Sequence, residues 1–128
     1  MSLDYSMPVL IVDDYVTVSR IIRSLLRQAG FADVDEASDG EQAIAKMRER
    51  KYGLVISDWH MAPTNGLELL QQVKADEGLK HTPFVMVSAE EAPENVAAAK
   101  SAGAAAYVIK PFDALTLKAR IESALRAA

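Results

Sequence analysis

Short apolar runs alternate along the chain with longer segments of helical period, and this alternation restricts the possible folds more than any other feature of the sequence. The runs are rich in β-branched residues, which favour strands. Between the runs, apolar residues recur every three or four positions, as they do on the inner face of a helix. The pattern predicts five strand–helix units, with strands at residues 9–12, around Val34, and at residues 54–57, 84–88 and 106–109.

Residues that commonly begin or end helices bound the helical segments. Gly30 is a usual terminator for the first helix. The second helix opens after Asp39, and the third follows Asn65, a good N-cap residue. Pro93 lies where a first-turn proline is tolerated, and the fifth helix begins behind Asp113. The residues expected on the inner faces of the helices are Val18, Ile21, Ile22, Leu25, Leu26, Ala29, Ala43, Ile44, Met47, Leu67, Leu70, Val73, Leu117, Ile121, Ala124 and Leu125.

Continuous apolar strands separated by helices imply a parallel sheet that is covered on both faces and joined by right-handed crossovers. We therefore predict a doubly wound α/β fold with a five-stranded parallel sheet and five helices. The length of 128 residues suits one domain, which we expect to span residues 1–128, with no weight given to residues 1–6. Ligands of such sheets bind at the carboxyl ends of the strands.

Charge and composition exclude several classes of function. Fourteen basic against eighteen acidic residues give a net charge of −4, so no overall positive field draws the chain to nucleic acid. The absence of cysteine excludes disulfides and thiolate metal sites, and it fits a cytoplasmic location. No apolar run approaches the ~20 residues of a membrane span. We therefore expect neither nucleic-acid binding nor membrane insertion.

Polar or charged side chains stand at the end of every clearly predicted strand. Asp13 and Asp14 follow the first strand, and Asp58 follows the third. Ser88 ends the fourth strand, and Lys110 follows the fifth. Any one of them alone fits an ordinary loop or cap residue, but parallel strands bring all of them to one edge of the sheet. Their convergence predicts a functional site.

The three aspartates form a predicted site for a hard cation. Adjacent carboxylates repel each other unless positive charge lies between them, and carboxylate oxygens suit Mg²⁺, which needs few protein ligands. A cation there attracts a phosphoryl group, and Lys110 and Ser88 are placed to bind further phosphoryl oxygens. Asp58 stands alone at its strand end, and an aspartate can take a phosphoryl group as an acyl phosphate. Asp58 is therefore the best candidate for the acceptor.

Longer motifs around these residues resemble a known family. They are "VLIVDD", "VISDW", "GLELL", "VSAE" and "ENVAAAKSAGAAAYVIKPF", and together they extend over nearly the whole chain. The sequence is similar to response-regulator receiver domains, and more narrowly to the single-domain, CheY-like chemotaxis regulators. The resemblance implies a flavodoxin-like sheet with strand order 2-1-3-4-5. It also implies a phosphoacceptor of two-component signal transduction, which is not an enzyme apart from its own Mg²⁺-dependent phosphorylation and dephosphorylation.

The resemblance further implies a chemical role for each residue of the site. Asp58 is the implied phosphoacceptor and Lys110 the lysine that binds the phosphoryl group. The implied cofactor is Mg²⁺, bound by the carboxylates of Asp13, Asp14 and Asp58 and by the backbone carbonyl of His60.

The resemblance also implies a switch and two partners. Ser88 is the implied switch hydroxyl, and Tyr107 the aromatic residue that changes rotamer on activation. The peptide bond between Lys110 and Pro111 is expected to be cis. The phosphodonor is expected to be a histidine kinase. The effector is expected to be a separate protein that binds the face made by the fourth helix, the fifth strand and the fifth helix.

The sequence departs from the family pattern after the acceptor. Proline commonly lies four residues beyond the acceptor, where this chain has Ala62 and places proline at Pro63 instead. Thr64 stands where an apolar residue is usual. His60 replaces the asparagine of chemotaxis regulators, and in the family this position and that of Glu90 tend to set the rate of dephosphorylation.

Two other functions share parts of this pattern. A flavodoxin-like flavin binder needs a neutral or positive phosphate loop after the first strand, where Asp13 and Asp14 would repel the phosphate. An aspartyl-nucleophile, Mg²⁺-dependent phosphatase carries a DxD motif at the first strand, whereas this chain has adjacent aspartates there. A yellow protein would support the first alternative, and turnover of a phosphomonoester the second.

Overall fold

Strands and helices alternate through residues 4–127, the part of the chain that the computed structural model describes. The ends of the predicted domain, residues 1–3 and 128, lie outside the described residues. The elements are β1 (Val9–Val12), α1 (Val16–Ala29), β2 (Val34–Ala37), α2 (Gly40–Glu49), β3 (Leu54–Asp58), α3 (Gly66–Ala75), β4 (Phe84–Ser88), α4 (Pro93–Ser101), β5 (Ala106–Ile109) and α5 (Ala114–Ala127). Every predicted strand and helix is present, and β3 extends to Asp58, one residue further than predicted. None of the helices within this range is long and apolar enough to cross a membrane.

The five strands form one parallel sheet in the order β2-β1-β3-β4-β5. The predicted doubly wound α/β fold and the strand order are thus confirmed. Val12, the last residue of β1, pairs with Ala37 of β2 and with Ser57 of β3, so the strands end at nearly the same level. We call the edge where the five strands end the carboxyl edge, and the edge where they begin the amino edge.

A hydrophobic core lies on each face of the sheet, because successive strand side chains point to opposite faces. Val9 and Ile11 of β1 lie in the core beneath α1 and α5. Leu10 and Val12 lie in the core beneath α2, α3 and α4. Burial of such apolar surface stabilises the fold by roughly 25 cal/mol per Å². The two cores hold the sheet rigidly and so fix the positions of the residues at its ends.

The predicted helix boundaries are confirmed by the structure. Gly30 ends α1 with a left-handed backbone at φ 113°, a conformation that glycine adopts without steric cost. The Asp39 side chain caps α2 by accepting a hydrogen bond of 2.8 Å from the backbone amide of Gln42. Asn65 and Glu68 form a reciprocal capping box at the start of α3. These caps fix where each helix begins relative to the strand before it.

The prediction of the inner helix faces was wrong for Ile21. This residue is 55% exposed, whereas Ile22 and Leu26 are buried. Neighbouring positions on a helix point about 100° apart, so α1 turns Ile22 toward the sheet and Ile21 toward solvent. Leu69 of α3, which was not predicted to face the core, is fully buried.

A cluster of charged and polar side chains lies at the amino edge, between the start of β2 and the segment that joins α2 to β3. We call Asp33, Asp35, Arg50 and Tyr52 the amino-edge cluster. Arg50 pairs with Asp33 and donates to Asp35 at 2.9 Å, and the Tyr52 hydroxyl donates to Asp35 at 2.6 Å. The bond from Tyr52, aided by Arg50, lowers the pKa of Asp35. Burial, aided by that bond, raises the pKa of Tyr52 to about 12.

Candidate functional site

Three aspartates converge at the carboxyl edge, as the sequence predicts. Asp13 and Asp14 directly follow β1, and Asp58 ends the neighbouring strand β3. Carboxylate oxygens of the three residues lie within 4.8 Å of one another. Asp13 and Asp58 are buried, and Asp14 is exposed. We call these three residues the acidic cluster.

Lys110 reaches into the acidic cluster from the end of β5. Its Nζ lies 3.0 Å from Oδ1 of Asp58 and 4.0 Å from Oδ2 of Asp13. Lys110 and Asp58 are separated by 52 positions in sequence, and the sheet order brings them together. One lysine against three carboxylates leaves this part of the described structure with excess negative charge.

The two carboxylate oxygens of Asp13 have different surroundings. Oδ1 accepts a hydrogen bond of 2.9 Å from the backbone amide of Tyr15. Oδ2 is buried and has no hydrogen-bond partner among residues 4–127. Burial of the carboxylate, with the neighbouring Asp58 carboxylate, raises the pKa of Asp13. A buried carboxylate oxygen without a partner is costly, and a hard cation would satisfy it.

The acidic cluster therefore fits Mg²⁺. Its donors are all oxygens, its charge is negative, and Asp13 contributes the buried unpaired oxygen. Asp13, Asp14 and Asp58 would supply the carboxylate ligands, and Mg²⁺ keeps several waters in such sites. The role predicted for the backbone carbonyl of His60 stays a prediction. The His60 side chain is exposed.

Ser88 and Tyr107 meet at the backbone of Glu90. Ser88 is fully buried at the end of β4, and its Oγ accepts a hydrogen bond of 3.0 Å from the backbone amide of Glu90. The hydroxyl of Tyr107 donates to the carbonyl of Glu90 at 2.9 Å. The Tyr107 ring is buried and packs edge-on against Trp59, with ring centroids 6.2 Å apart. The role of Tyr107 as a switch residue stays a prediction.

Gly66, the first residue of α3, packs directly against the backbone of Asp58. The amide of Gly66 donates to the carbonyl of Trp59 at 2.8 Å. A Cβ atom at this position would lie 2.3 Å from the carbonyl oxygen of Asp58, so a larger residue requires the backbone to move. The requirement for glycine here was not predicted from the sequence. The available signal in the sequence was a glycine in the first turn of a helix, eight residues after the aspartate that ends β3.

The loop between Asp58 and α3 contains the departures from the family pattern. Pro63 follows Ala62 through a cis peptide bond, which the sequence did not predict. The bond between Lys110 and Pro111 is also cis, as the resemblance implied. Ala62 and Pro63 are exposed and Thr64 is half-buried.

A polar group next to Asp13 was also not predicted. The hydroxyl of Ser19 in α1 donates to Oε1 of Glu36 in β2 at 2.5 Å. Arg23 donates to Oε2 of the same carboxylate at 2.6 Å and to the carbonyl of Val34 at 2.7 Å. Ser19 and Arg23 are four residues apart and so share one side of the helix, which was the available sequence signal. We call Ser19, Arg23 and Glu36 the β2 clamp.

The chain is similar to known proteins along all five strands of the sheet. Residues 9–122 match the family described as the response regulator receiver domain. The chemotaxis protein CheY-3 of Vibrio cholerae is 41% identical over 120 residues, which is 94% of this chain and 92% of the relative. The chemotaxis protein CheY of Pseudomonas aeruginosa is 44% identical over 116 residues, which is 91% of this chain and 94% of the relative.

Solved structures show the same fold. The chemotaxis protein CheY4 of Vibrio cholerae superposes with a TM-score of 0.86 at 32% identity, covering 94% of this chain and 99% of that one. The receiver domain of a Francisella response regulator superposes with a TM-score of 0.85 at 25% identity, covering 95% of this chain and 98% of that one. The family match at residues 9–122 includes every strand of the sheet and all of the acidic cluster.

Proposed function

The chain belongs to the response regulator receiver domain family and is of the CheY type of chemotaxis regulator, and we propose that it carries its signal as a phosphoryl group on Asp58. The proposed donor is the phosphohistidine of a histidine kinase. An oxygen of the Asp58 carboxylate attacks the phosphorus, a new P–O bond forms, and the P–N bond to the histidine breaks. The product is an acyl phosphate, which water later hydrolyses to restore the carboxylate.

The contact between Lys110 and Asp58 is the observation that carries this proposal. Of the three carboxylates, Asp58 lies nearest to the lysine, at 3.0 Å against 4.0 Å for Asp13. A phosphoryl group on Asp58 would therefore place its oxygens within reach of the ammonium group. Asp14 lies on the exposed side of the cluster and is better placed as a ligand than as an acceptor.

Excess negative charge at the acidic cluster would oppose the approach of an anionic phosphodonor. Asp13, Asp14 and Asp58 would hold Mg²⁺, which would supply the compensating positive charge. The Lys110 ammonium would neutralise an oxygen of the phosphoryl group. The protein itself contributes position, because Asp58 at the end of β3 and Lys110 after β5 are held at the same edge of one sheet, with β4 between them.

Ser88 is proposed to report the phosphoryl group to the surface. Its Oγ already accepts from the amide of Glu90, which leaves the hydroxyl proton free to donate to a phosphoryl oxygen. Such a bond would move the Ser88 hydroxyl and, with it, the Glu90 backbone, whose carbonyl accepts a hydrogen bond from the Tyr107 hydroxyl. Tyr107 lies on β5, so the change is transmitted to the face made by α4, β5 and α5. This face is the proposed effector surface. Lys100 of α4 and Arg120 of α5 are exposed basic residues of its helices, whereas the Lys118 ammonium lies over the Tyr5 ring, 5.6 Å from the ring centroid. We place the reaction in the cytoplasm, which the absence of cysteine fits.

Phosphorylation by a small donor tests the acceptor directly. Acetyl phosphate with Mg²⁺ should label one residue, Asp58, because the other two carboxylates are further from Lys110 or serve the cation. The acyl phosphate is trapped with borohydride and located by mass spectrometry. Asp58→Asn should lose essentially all of the label.

Asp35→Asn provides the matched control for this experiment. It also replaces an aspartate with asparagine, but at the amino edge, and it should label like the parent protein. Equal labelling of Asp58→Asn and the parent protein would contradict the assignment of the acceptor.

A further inference from the structure

A continuous chain of hydrogen bonds joins Asp13 to Glu36. The Oδ1 atom of Asp13 accepts from the backbone amide of Tyr15 at 2.9 Å. The carbonyl of Tyr15 accepts from the amide of Ser19 at 3.0 Å. The hydroxyl of Ser19 donates to Glu36 at 2.5 Å. The position of the Asp13 carboxylate is thus linked, through one turn of helix, to a side chain on the neighbouring strand.

The first turn of α1 depends on this chain because it lacks the usual means of fixing a helix start. Tyr15 occupies the N-cap position and makes no side-chain capping bond within the described residues. The first turn of α1 also contains no acidic residue. The helix nevertheless begins at Val16, two residues after Asp14, so a movement of its start would also move Asp13 and Asp14. The bond from Ser19 to β2 fixes the turn in place of a cap.

The sheet register places Glu36 beside Asp13. Ile11 of β1 pairs with Glu36 of β2, and Asp13 lies two residues beyond Ile11. Because side chains alternate between faces, Ile11 and Asp13 point to the face that α1 covers. Asp13, Ser19 and Glu36 accordingly line one small cavity of about 140 Å³.

Arg23 holds the Glu36 carboxylate in its bonding position. It donates to the carboxylate oxygen that Ser19 does not use, and its other terminal nitrogen donates to the carbonyl of Val34. Both oxygens of Glu36 therefore have donors, and its charge is balanced within the β2 clamp. Because both carboxylate oxygens are already bonded, Glu36 is not suited to bind a ligand directly. It is suited to hold Ser19 in place.

We infer that Ser19 and Glu36 are positioning residues for the proposed Mg²⁺ site. By fixing the Tyr15 backbone they hold Oδ1 of Asp13, so that Oδ2 points toward Asp58 and Lys110 and remains available to the cation. Outer groups that orient a metal ligand commonly change metal affinity by about 10- to 100-fold. The inference rests on the proposed function, since it requires that the acidic cluster binds Mg²⁺.

Asp35, the residue before Glu36, offers a closely matched control. Each carboxylate accepts one bond from a hydroxyl and one from an arginine: Asp35 accepts from Tyr52 at 2.6 Å and from Arg50 at 2.9 Å. The two neighbouring side chains point to opposite faces of β2, and Asp35 belongs to the amino-edge cluster, away from Asp13. Asp35→Asn removes the charge of this acceptor and so weakens both bonds, which should cost stability without changing metal affinity.

The test measures Mg²⁺ affinity by the fluorescence of Trp59, which adjoins Asp58. The variants are Ser19→Ala, Glu36→Ala, Glu36→Gln and the control Asp35→Asn, each first shown to be folded by circular dichroism. Ser19→Ala and Glu36→Ala should each raise the Mg²⁺ dissociation constant by about 10-fold. Glu36→Gln should raise it less, because the amide oxygen still accepts from Ser19. The double variant should bind about as weakly as either single Ala variant, because one break already interrupts the chain of bonds.

A second measurement separates positioning from general damage. The rate of acetyl phosphate labelling at saturating Mg²⁺ should match that of the parent protein in Ser19→Ala and Glu36→Ala, while the Mg²⁺ concentration for half the maximal rate rises with the dissociation constant. Unchanged Mg²⁺ affinity in both variants would overturn the inference and leave the proposed function intact. An equal loss of affinity in Asp35→Asn would also overturn it. A parent protein that does not bind Mg²⁺ at all would instead contradict the proposed cation site.

Discussion

The two edges of the sheet use the same types of side chain in opposite ways. At the amino edge, Asp33 and Asp35 are matched by Arg50 and by the hydroxyl of Tyr52. At the carboxyl edge, the three carboxylates of the acidic cluster share a single lysine, and Oδ2 of Asp13 has no partner in residues 4–127. Carboxylates that all have hydrogen-bond donors, as at the amino edge, are typical of a structural contact. Excess charge at the other is typical of a site completed by a ligand.

The pKa values at the two edges shift in opposite directions for this reason. The hydrogen bond from Tyr52 lowers the pKa of Asp35, because it favours the charged carboxylate. Burial raises the pKa of Asp13, because it disfavours the charged form. A charged carboxylate that its neighbours stabilise increases the free energy of unfolding. A charged carboxylate that burial destabilises decreases it unless a cation binds.

The largest expected effect is on Mg²⁺ affinity, which should change for a substitution at the carboxyl edge and not for one at the amino edge. Asp14→Ala removes a proposed direct ligand of Mg²⁺ and should weaken binding by at least about 100-fold, beyond the range usual for residues that only support a ligand. Titration of Trp59 fluorescence with Mg²⁺ measures the change. Asp35→Asn, the amino-edge control, should leave the curve unchanged. The comparison fails if Asp14→Ala binds Mg²⁺ like the parent protein.

The next effect is on stability and has opposite signs at the two edges. Without Mg²⁺, Asp13→Asn should increase the free energy of unfolding by about 1–2 kcal/mol, because it removes a buried charge whose Oδ2 is unpaired. Asp35→Asn should decrease it, because two donors lose their charged acceptor. Urea unfolding in EDTA measures both variants. Addition of Mg²⁺ should stabilise the parent protein and not Asp13→Asn, since only a protein that binds the ion gains stability from it. Loss of stability in metal-free Asp13→Asn would show that excess negative charge does not destabilise the acidic cluster.

The smallest expected effect concerns pH at the amino edge. Tyr52→Phe should cost about 1 kcal/mol near neutral pH by removing the bond to Asp35. Because the pKa of Asp35 is lowered by folding, its contribution is present above the ordinary value of 3.8 and is lost as pH falls through the lower value of the folded state. The stability difference between Tyr52→Phe and the parent protein should therefore narrow in acid.

The stability difference between Tyr52→Phe and the parent protein should also change at alkaline pH. Because the pKa of Tyr52 is raised from 10.0 to about 12, its contribution is present below pH 10.0 and is lost as pH rises toward 12. Urea unfolding across the pH range tests both limbs. A stability difference between the two proteins that does not vary with pH would argue against the bond between Tyr52 and Asp35.

The features that the sequence could predict are those set by order along the chain. Abrupt transitions from apolar runs to charged residues marked the strand ends, and parallel topology then required Asp58 and Lys110 to approach each other despite their separation in sequence. Helix caps such as Asn65 were predicted because capping depends on a few adjacent residues. Strand order, which local patterns leave open, came from the resemblance to a family.

The features that could not be predicted depend on how elements rotate against one another. Ile21 has the spacing of a residue on the inner face of α1. Spacing shows that one side of the helix is apolar but not which residues of that side lie nearest the sheet, and here Ile22 faces the sheet while Ile21 faces solvent. In the sequence Ser19 has no local feature that distinguishes it from other polar residues near a helix start, since its partner Glu36 lies on β2. The pairing of Tyr52 with Asp35 likewise joins residues 17 positions apart, on elements whose contact no local pattern specifies.

Gly66 has a consequence for how this protein tolerates change. The Cβ of even an alanine there would meet the carbonyl oxygen of Asp58 at 2.3 Å, so a substitution requires the Asp58 peptide to move. Positions 58 and 66 consequently behave as one unit in any library of variants. Asp58 is restricted by its proposed role as the acceptor and Gly66 by the space beside it. The outward face of α3 can be varied, but its first residue cannot be changed independently of the Asp58 backbone.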